Sequence, residues 1–455
     1  MSDSPPSARR EGSLEAPTRH PVAWRTDDFY DEASLFRELE RVYDICHGCR
    51  RCFSLCQAFP VLFDAIDATE DGELHGVPKK AYWDVVDQCY LCDLCYQTKC
   101  PYVPPHEWNL DFPHLMLRAK ALRFKTEGAS VRDRVLSSAA TLGRLGGIPV
   151  VAEALNAATR NGTVRRVLES TMGIHRDARL PDFHAQSFHD RERRRAPAAL
   201  QPVATAQTTG QVALFATCYC NEHEPAIDQD LVAVFEHNGI PVVTVPKERC
   251  CGMPKLELGD LEGVAALKAH NIPRLVELVN AGYDIVAPIP SCVLMYKQEL
   301  PLLFPDDPDV AAVKAAMHDP FEYLWKRHQE GLLKTDFTVS LGKVAYQVPC
   351  HLRVQNIGLK TRDVLKLVPG TSLDVIERCT GHDGTYAVKT EFRANALKIG
   401  KPVSNKVKAS GAIVHSSDCP MAGHHISDGL AERRAPVHPL TLLARAYGIA
   451  TENAE

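Results

Sequence analysis

Two cysteine runs near the amino end have the types and spacing needed to hold iron. The first is Cys46-His-Gly-Cys49-Arg-Arg-Cys52-Phe-Ser-Leu-Cys56, and the second is Cys89-Tyr-Leu-Cys92-Asp-Leu-Cys95-Tyr-Gln-Thr-Lys-Cys100-Pro101. Thiolate sulfur is a soft donor that suits iron. Two consecutive two-residue gaps let one winding loop aim three sulfurs at the same cluster. In paired runs of this kind the fourth cysteine usually serves the other cluster. The reading is two [4Fe–4S] clusters, one on Cys46, Cys49, Cys52 and Cys100, the other on Cys89, Cys92, Cys95 and Cys56. The competing reading is a pair of structural four-cysteine zinc sites. Zinc motifs usually pair C-x2-C knuckles across a longer gap, and both runs depart from that. Phe53, Tyr90 and Tyr96 are expected to shield the clusters from water. Arg50 and Arg51 are expected to tune them, to meet an acidic partner, or to stand solvated.

The chain has 455 residues and 16 cysteines. Eight lie between Cys46 and Cys100, eight between Cys218 and Cys419, and the stretch between the groups has none. In a reducing compartment that many thiols read as metal ligands or redox groups rather than as disulfides. The formal net charge of −5 gives no reason to expect a nucleic-acid partner. No apolar run approaches the roughly 20 residues that span a bilayer. Met1 to Pro21 is polar and lacks the apolar core of a secretory signal. The expected location is therefore cytoplasmic.

Helices must carry the first group of cysteines. Leu35, Leu39 and Val42 recur at helical spacing from Asp31 to Tyr43, directly before Cys46. A second helical pattern lies within His106–Phe124. Residues 131–172 form one or two basic amphipathic helices. Val131, Val135, Leu142, Leu145, Val150, Val151 and Leu155 supply the apolar face, and Arg132, Arg134, Arg144, Arg160, Arg165 and Arg166 the charge. Such a stretch suits packing between domains or rest on a membrane surface. The arginine run at Arg191, Arg193, Arg194 and Arg195 lies among Pro, Ala, Thr and Gln and reads as part of an exposed linker.

Beyond residue 211, strands alternate with helices, the pattern of parallel α/β units. Strands are expected at Val212–Ala216, Pro241–Val245, Asp284–Ile289, Lys343–Val348, Ser372–Ile376 and Gly411–His415. Helices are expected at Ile227–Asn238, Val264–Val279, Arg362–Val368 and Glu391–Ser410. The pattern runs twice. Each half puts a cysteine at its first strand end (Cys218, Cys350), its second (Cys250, Cys379) and its last (Cys292, Cys419), at nearly equal intervals. Ligands of open α/β sheets usually sit at such strand ends.

The motifs there are Ala-Thr-Cys218-Tyr-Cys220, Cys250-Cys251-Gly252-Met-Pro and Pro290-Ser-Cys292, then Pro349-Cys350-His351, Cys379-Thr380-Gly381-His382-Asp383-Gly384 and Ser417-Asp418-Cys419-Pro420. This set resembles the cysteine-rich CCG domains of heterodisulfide reductase. It is still more similar to the iron–sulfur (C) component family of anaerobic glycerol-3-phosphate dehydrogenase. The resemblance runs from about Asp31 to near the end of the chain. It implies an iron–sulfur subunit of an oxidoreductase, inactive without its partner. Electrons come from a flavoprotein dehydrogenase or other redox subunit and pass toward a quinone, which places the chain peripherally on the inner face of the cell membrane. It also implies one or two further clusters in the CCG repeats, on Cys218, Cys250, Cys251 and Cys292 in the first and on Cys350, Cys379 and Cys419 in the second.

The sequence departs from the family pattern. Ile289 stands where the first half should have an extra cysteine, a role Cys220 could fill. Thr380 and Ser416 replace two thiols of the second half, which then needs His351, His382 or Asp418 to complete a cluster. His424 and His425 are expected at the surface. Gly252, Gly381 and Gly384 are expected to let the backbone come close to the site. A G-x-G-x-x-G fingerprint after a strand is missing, as is a plain acid–base constellation.

The expected fold is α+β and multidomain: a flexible arm (1–30), an α-helical ferredoxin-like two-cluster domain (31–125), a helical connector (126–183), a linker (184–210), and two α/β CCG repeats (211–335 and 336–455). An enzyme that reduces a disulfide or thiol substrate at a CCG-bound cluster is the alternative function.

Overall fold

The computed structural model describes residues 12–13, 15–138, 143, 149–196, 198–430, 432 and 434–449. Residues 1–11 and Leu14 of the expected arm, and Leu142, Arg144 and Leu145 of the expected amphipathic stretch, lie outside the described residues. The chain divides into two compact units, Met1–Arg123 and Phe124–Glu455.

The described residues of the first unit form helices and turns. Asp31 caps the helix Glu32–Cys49 by accepting the Ser34 amide at 2.6 Å. Leu35, Leu39, Val42 and Tyr43 share its buried face. They pack with the helices Ala58–Asp67 and Lys79–Asp87 through aromatic contacts. The Tyr43 ring lies 5.2 Å from Tyr82 and 6.2 Å from Phe112, and Phe59 lies 4.8 Å from Phe112. Each such ring contributes roughly 1.5–3 kcal/mol on burial.

The described part of the expected arm is docked on the rest of its unit. The Thr18 amide donates to the Pro104 carbonyl at 2.9 Å, and Trp24 is buried. Arg19 reaches Asp93 at 2.5 Å and Asp111 at 2.8 Å, with little of any of these side chains exposed. One guanidinium between two carboxylates makes a tie that composition does not reveal.

The second unit holds two parallel sheets. The first has the order β2-β1-β3-β4, with β1 Val212–Leu214, β2 Val242–Thr244, β3 Asp284–Val286 and β4 Met317–His318. The second has the order β6-β5-β7, with β5 Lys343–Gln347, β6 Ser372–Ile376 and β7 Val414–Ser417. In both, the first strand is flanked by the second and the third, as the internal repeat requires. Val212 pairs with Val242 on one side and Asp284 on the other, and Val344 pairs with Leu373 and Val414. β1 and β3 are buried along their length, which is the reason they read as unbroken apolar runs.

β4 has two residues and no β-branched side chain, too little to signal a strand. β7 begins three residues later than expected. Gly411, in the left-handed region at φ 66°, is still ending the helix Thr390–Ser410.

The connector is tied to the second repeat by charge. Arg132 pairs with Glu391 at 2.6 Å, and Lys389 with Asp133 at 2.7 Å. Its apolar residues are not all covered: Val131 is 73% and Val150 79% exposed, and Val167 stands out from the next helix, Gly162–Met172. The expected exposed linker is more ordered than its composition suggests. Ser187 and Asp190 form a capping box on the helix Phe188–Glu192, Phe188 is buried, and Arg195 reaches Glu236 at 2.7 Å. Among the described residues no helix is long and apolar enough to cross a membrane.

Candidate metal centres

The helix Glu32–Cys49 carries Cys46 and Cys49 three residues apart on its last turn, so both thiols share one face. Arg50 then takes a left-handed conformation at φ 51°, its amide returning to the Cys46 carbonyl at 2.9 Å. This ends the helix and turns the chain toward Cys52. Cys100 comes from beyond the short helix Leu94–Thr98, its amide bonded to the Cys95 carbonyl at 2.9 Å. Cys46, Cys49, Cys52 and Cys100 line one small cavity with Phe59 and Phe63. Burial pushes the Cys46 thiol well up, and the neighbouring Cys100, Cys52 and Cys49 push in the same direction. Burial raises Cys52 to about 12, reinforced by Cys100 and Cys49. Raised thiols gathered this closely are stabilised as thiolates by a strongly cationic group.

Around Cys95 the structure gathers Cys92, Cys89 and Cys56. Burial lifts Cys95 well above its ordinary value, with contributions from Cys52, Cys92, Cys89 and Cys56. The loop winds through two left-handed residues, Leu91 at φ 54° and Asp93 at φ 59°, on either side of Cys92. Asp93 is the carboxylate that Arg19 grips. Buried Lys120 donates to the Cys89 carbonyl. Burial raises Cys89 to about 12, against the pull of Lys120.

The shielding residues differ from those expected. Phe53 is 56% exposed, whereas Phe59 and Phe63 line the first cavity. Both lie on the helix Ala58–Asp67, where nothing in the residue pattern marks a cavity wall. Tyr96 is buried and donates to the Thr18 carbonyl at 2.5 Å. Tyr90 is partly buried, with the Lys120 ammonium 4.6 Å from its ring centre. Arg50 is engaged with Asp67 at 2.9 Å, while Arg51 borders the cavity.

In the second unit the cysteines stand just beyond the strands. Cys218 opens the helix Cys218–Glu222 after β1, and Thr217 caps it by accepting the Cys220 amide at 3.2 Å. Cys250 and Cys251 follow β2, and Cys292 lies in the helix Pro290–Leu294 after β3. Cys218, Cys250, Cys251 and Cys292 are free thiols that neighbour one another, Cys250 lying beside Cys218 and Cys251, and Cys251 beside Cys292. Hydrogen bonds from Cys218 and Cys251 push the Cys250 thiol well down, and the same bonds raise its two donors. Gly252 has φ 106°, a conformation side chains rarely adopt. Asn271 holds the loop through the Arg249 and Cys250 carbonyls, each at 3.1 Å. Ile289 lines the cavity here, and Cys220 is fully buried.

In the second repeat Cys350 opens a short helix after β5, Cys379 follows β6, and Cys419 follows β7. Cys350, Cys379 and Asp383 place their donor atoms within 4.8 Å of one another. Burial raises Cys419 to about 12, while the amides of Ala422 and Met421 pull it down. His351 Nδ1 meets Ser291 Oγ of the first repeat at 2.7 Å. His382 lines the cavity with a buried Nε2 that has no partner, and burial holds its ring down to about 3. Asp418 is spent elsewhere, accepting Tyr346 at 2.6 Å and Thr361 at 2.7 Å. His424 and His425 are not surface residues: His424 pairs with Glu224 at 2.7 Å and His425 is buried. Gly381 is required sterically, since a Cβ there would meet the Ala396 carbonyl oxygen at 2.2 Å.

The two repeats face one cavity of about 180 Å³, lined by Cys218, Cys250, Cys251, Cys292, Cys350 and Cys419. Sequence reasoning treated the halves as separate sites. The matching cysteines at strand ends were the available signal, but convergence depends on how the sheets pack.

Residues 212–297 and 344–426 both match the family model of the cysteine-rich CCG domain. The chain is 29% identical over 334 residues to the C subunit of anaerobic glycerol-3-phosphate dehydrogenase from Escherichia coli, covering 73% of this chain and 81% of that one. It is 27% identical to the B subunit of the CoM/CoB fumarate reductase from Methanothermobacter marburgensis, over 84% of this chain and 68% of that protein. Lactate utilization protein A of Bacillus cytotoxicus is 29% identical over 46% of this chain and 87% of its own length. The chain thus carries two copies of the CCG cysteine-rich domain and is a homologue of oxidoreductase components.

Proposed function

We propose that this chain is the iron–sulfur electron-transfer subunit of a respiratory-type dehydrogenase, relaying electrons from a flavoprotein toward a quinone. The observation that carries this reading is the pair of neighbouring four-thiol sets in the first unit, close enough that Cys95 of one is influenced by Cys52 of the other. The donors suit iron: all are thiols, buried or half-buried, and drawn from two short stretches of chain. They are also spread more widely than a zinc tetrahedron requires. Legs of about 2.3 Å put its sulfurs about 3.8 Å apart, and among the described residues no three of these eight thiols lie within 4.8 Å of one another.

A [4Fe–4S] cluster, when bound, supplies reversible one-electron storage. The chain's residues do the rest. Cys46, Cys49, Cys52 and Cys100 would hold one cluster, and Cys56, Cys89, Cys92 and Cys95 the other. Phe59 and Phe63 keep water from the first. Arg19, Asp93 and Asp111 fix the loop that carries the second. Val131, Val150 and Val167 are exposed within an arginine-rich stretch, which supports peripheral attachment to an anionic membrane surface.

Anaerobic pull-down of the tagged chain tests the relay. The expected result is a co-purified flavoprotein that reduces the chain's iron–sulfur chromophore. A chain that captures no redox subunit, or is not reduced by it, defeats the reading. Flotation with anionic vesicles tests attachment, which Val150→Asp with Val167→Asp should abolish. A second reading, an enzyme acting on a disulfide or thiol substrate, is favoured by the cysteine-lined cavity between the repeats. Thiol-dependent change in an electron paramagnetic resonance signal, abolished by Cys251→Ser, would support it.

A further inference from the structure

A second cleft of the same unit is lined by arginines rather than by cysteines. It encloses about 600 Å³. Its walls are the helices Pro149–Arg160 and Gly162–Met172, the turn from Arg176 to Asp182, and the end of the helix Pro420–Asp428. The lining holds five arginines, Arg160, Arg165, Arg166, Arg176 and Arg179, and three carboxylates, Asp177, Asp182 and Asp428.

Some of these charges are already matched. Arg160 pairs with Asp182 at 2.9 Å, Arg176 with Glu169, and Asp428 with Arg393 at 2.7 Å. The others are not. Arg165 is only 5% exposed, and its guanidinium donates to the carbonyls of Arg176 at 2.9 Å, His175 at 2.6 Å and Ala178, with Nη1 left without a partner. Carbonyls satisfy donors but do not cancel a charge. Burial pulls the Arg165 guanidinium below its ordinary value, against the support of Asp177 and Glu169. Among the described residues the side chains of Arg166 and Arg179 form no ion pair or hydrogen bond, and Asp177 is the one lining carboxylate outside an ion pair. Three cations then stand against one anion, an excess of two positive charges.

We propose that this cleft binds a phosphate monoester group, carried by a small soluble molecule or by a lipid. Such a group has a charge of about −1.5 to −2 at pH 7 and three strong acceptor oxygens. That charge matches the excess in the cleft, whereas a single carboxylate leaves half of it standing. The planar guanidinium fork binds phosphate through paired hydrogen bonds. Arg166 and Arg179 supply the unengaged forks, one from a helix and one from the turn beyond it. Arg165 holds that turn in place through its three carbonyl contacts. The site uses no cysteine, so it goes beyond the electron-relay reading and does not rest on it.

The test uses the full chain purified without oxygen in phosphate-free buffer, with inorganic phosphate as the probe in titration calorimetry. The expected result is saturable binding of one phosphate per chain, with acetate at least tenfold weaker. Arg166→Ala with Arg179→Ala should weaken phosphate at least tenfold. Both side chains are exposed, so thermal unfolding, iron and labile sulfide should stay unchanged. Lys398→Ala with Lys401→Ala removes the same charge outside the cleft and should leave phosphate binding as it was. Flotation with vesicles separates the two sources. A preference for phosphatidic acid over phosphatidylglycerol at matched surface charge, lost in the arginine pair, assigns the group to a lipid; indifference between them assigns it to a soluble ester. Absence of saturable phosphate binding, acetate bound as tightly, binding that survives the arginine pair, or an equal loss in the lysine pair would each overturn the proposal. None of these touches the relay, which is read from reduction by the flavoprotein.

Discussion

The cysteines of the first unit and those of the CCG repeats are positioned by opposite means. In the first unit, Cys46 and Cys49 share a helical turn, and Cys89, Cys92 and Cys95 share one loop wound through left-handed residues. Chain-local geometry does most of the work. In the repeats, Cys218, Cys250 and Cys292 come from three strand ends brought side by side by the order β2-β1-β3. There the sheet does the work, and losing a thiol leaves the scaffold standing. A locally wound site draws its thiols from one stretch of backbone, whereas the sheet sets its cysteines from separate strands, and the second repeat carries Thr380 and Ser416 where the family pattern has thiols.

The largest effect that tests this contrast is Cys95→Ser. It should remove about half of the iron held by the first unit, read by metal analysis and paramagnetic resonance, with the β-sheet signature of residues 212–417 unchanged. Loss of all iron, or of none, would break the ligand division.

Next is Arg19→Ala. It strips the guanidinium from between Asp93 and Asp111, and breaking a buried pair of this kind costs about 3–5 kcal/mol. Denaturant titration should show that loss in the first unit alone. A uniform loss across both units would contradict the local character of the site.

Asp111 gives a smaller, pH-dependent effect. Burial works to raise its carboxyl, but His114 and Arg19 hold it down at about 2. A depressed carboxylate contributes stability that is fully present above its unfolded value near 3.9 and is lost as pH falls through about 2. The contribution is about 2 kcal/mol. Asp111→Asn should therefore destabilise the chain at pH 6 and draw level with the wild type as the pH nears 2, in paired denaturant titrations. An equal deficit at both ends would assign the effect to packing.

The smallest is Gly252→Ala. A Cβ there has room, meeting the flexible tip of Met295 at 3.4 Å, so the cost is backbone strain of about 1–2 kcal/mol. Gly381→Ala should cost more, because its Cβ would strike the Ala396 carbonyl oxygen. Equal thermal shifts would deny the difference between the repeats.

Periodicity located most elements well because buried parallel strands are unbroken apolar runs and long helices repeat their apolar face. Ser372–Ile376 was legible to the residue, whereas β4 carried too short a run and the start of β7 was masked by the glycine ending the preceding helix. The tie that docks the arm was hidden because Arg19 looks like any solvated arginine until Asp93 and Asp111, far along the chain, are placed around it. His424 and His425 were misread for the same reason.

The order of residues alone determined the two cysteine runs, the duplicated strand–helix pattern and the cysteines at strand ends. All of these depend on spacing along the backbone, and helical and extended chains translate spacing directly into direction. Only the folded chain decided that two repeats share one cavity, that Asp418 turns away to Tyr346 and Thr361, and that Asp383 joins Cys350 and Cys379. Those facts depend on how separate segments pack, and a donor's usefulness to a metal is set by distances of a few ångströms that no linear spacing encodes.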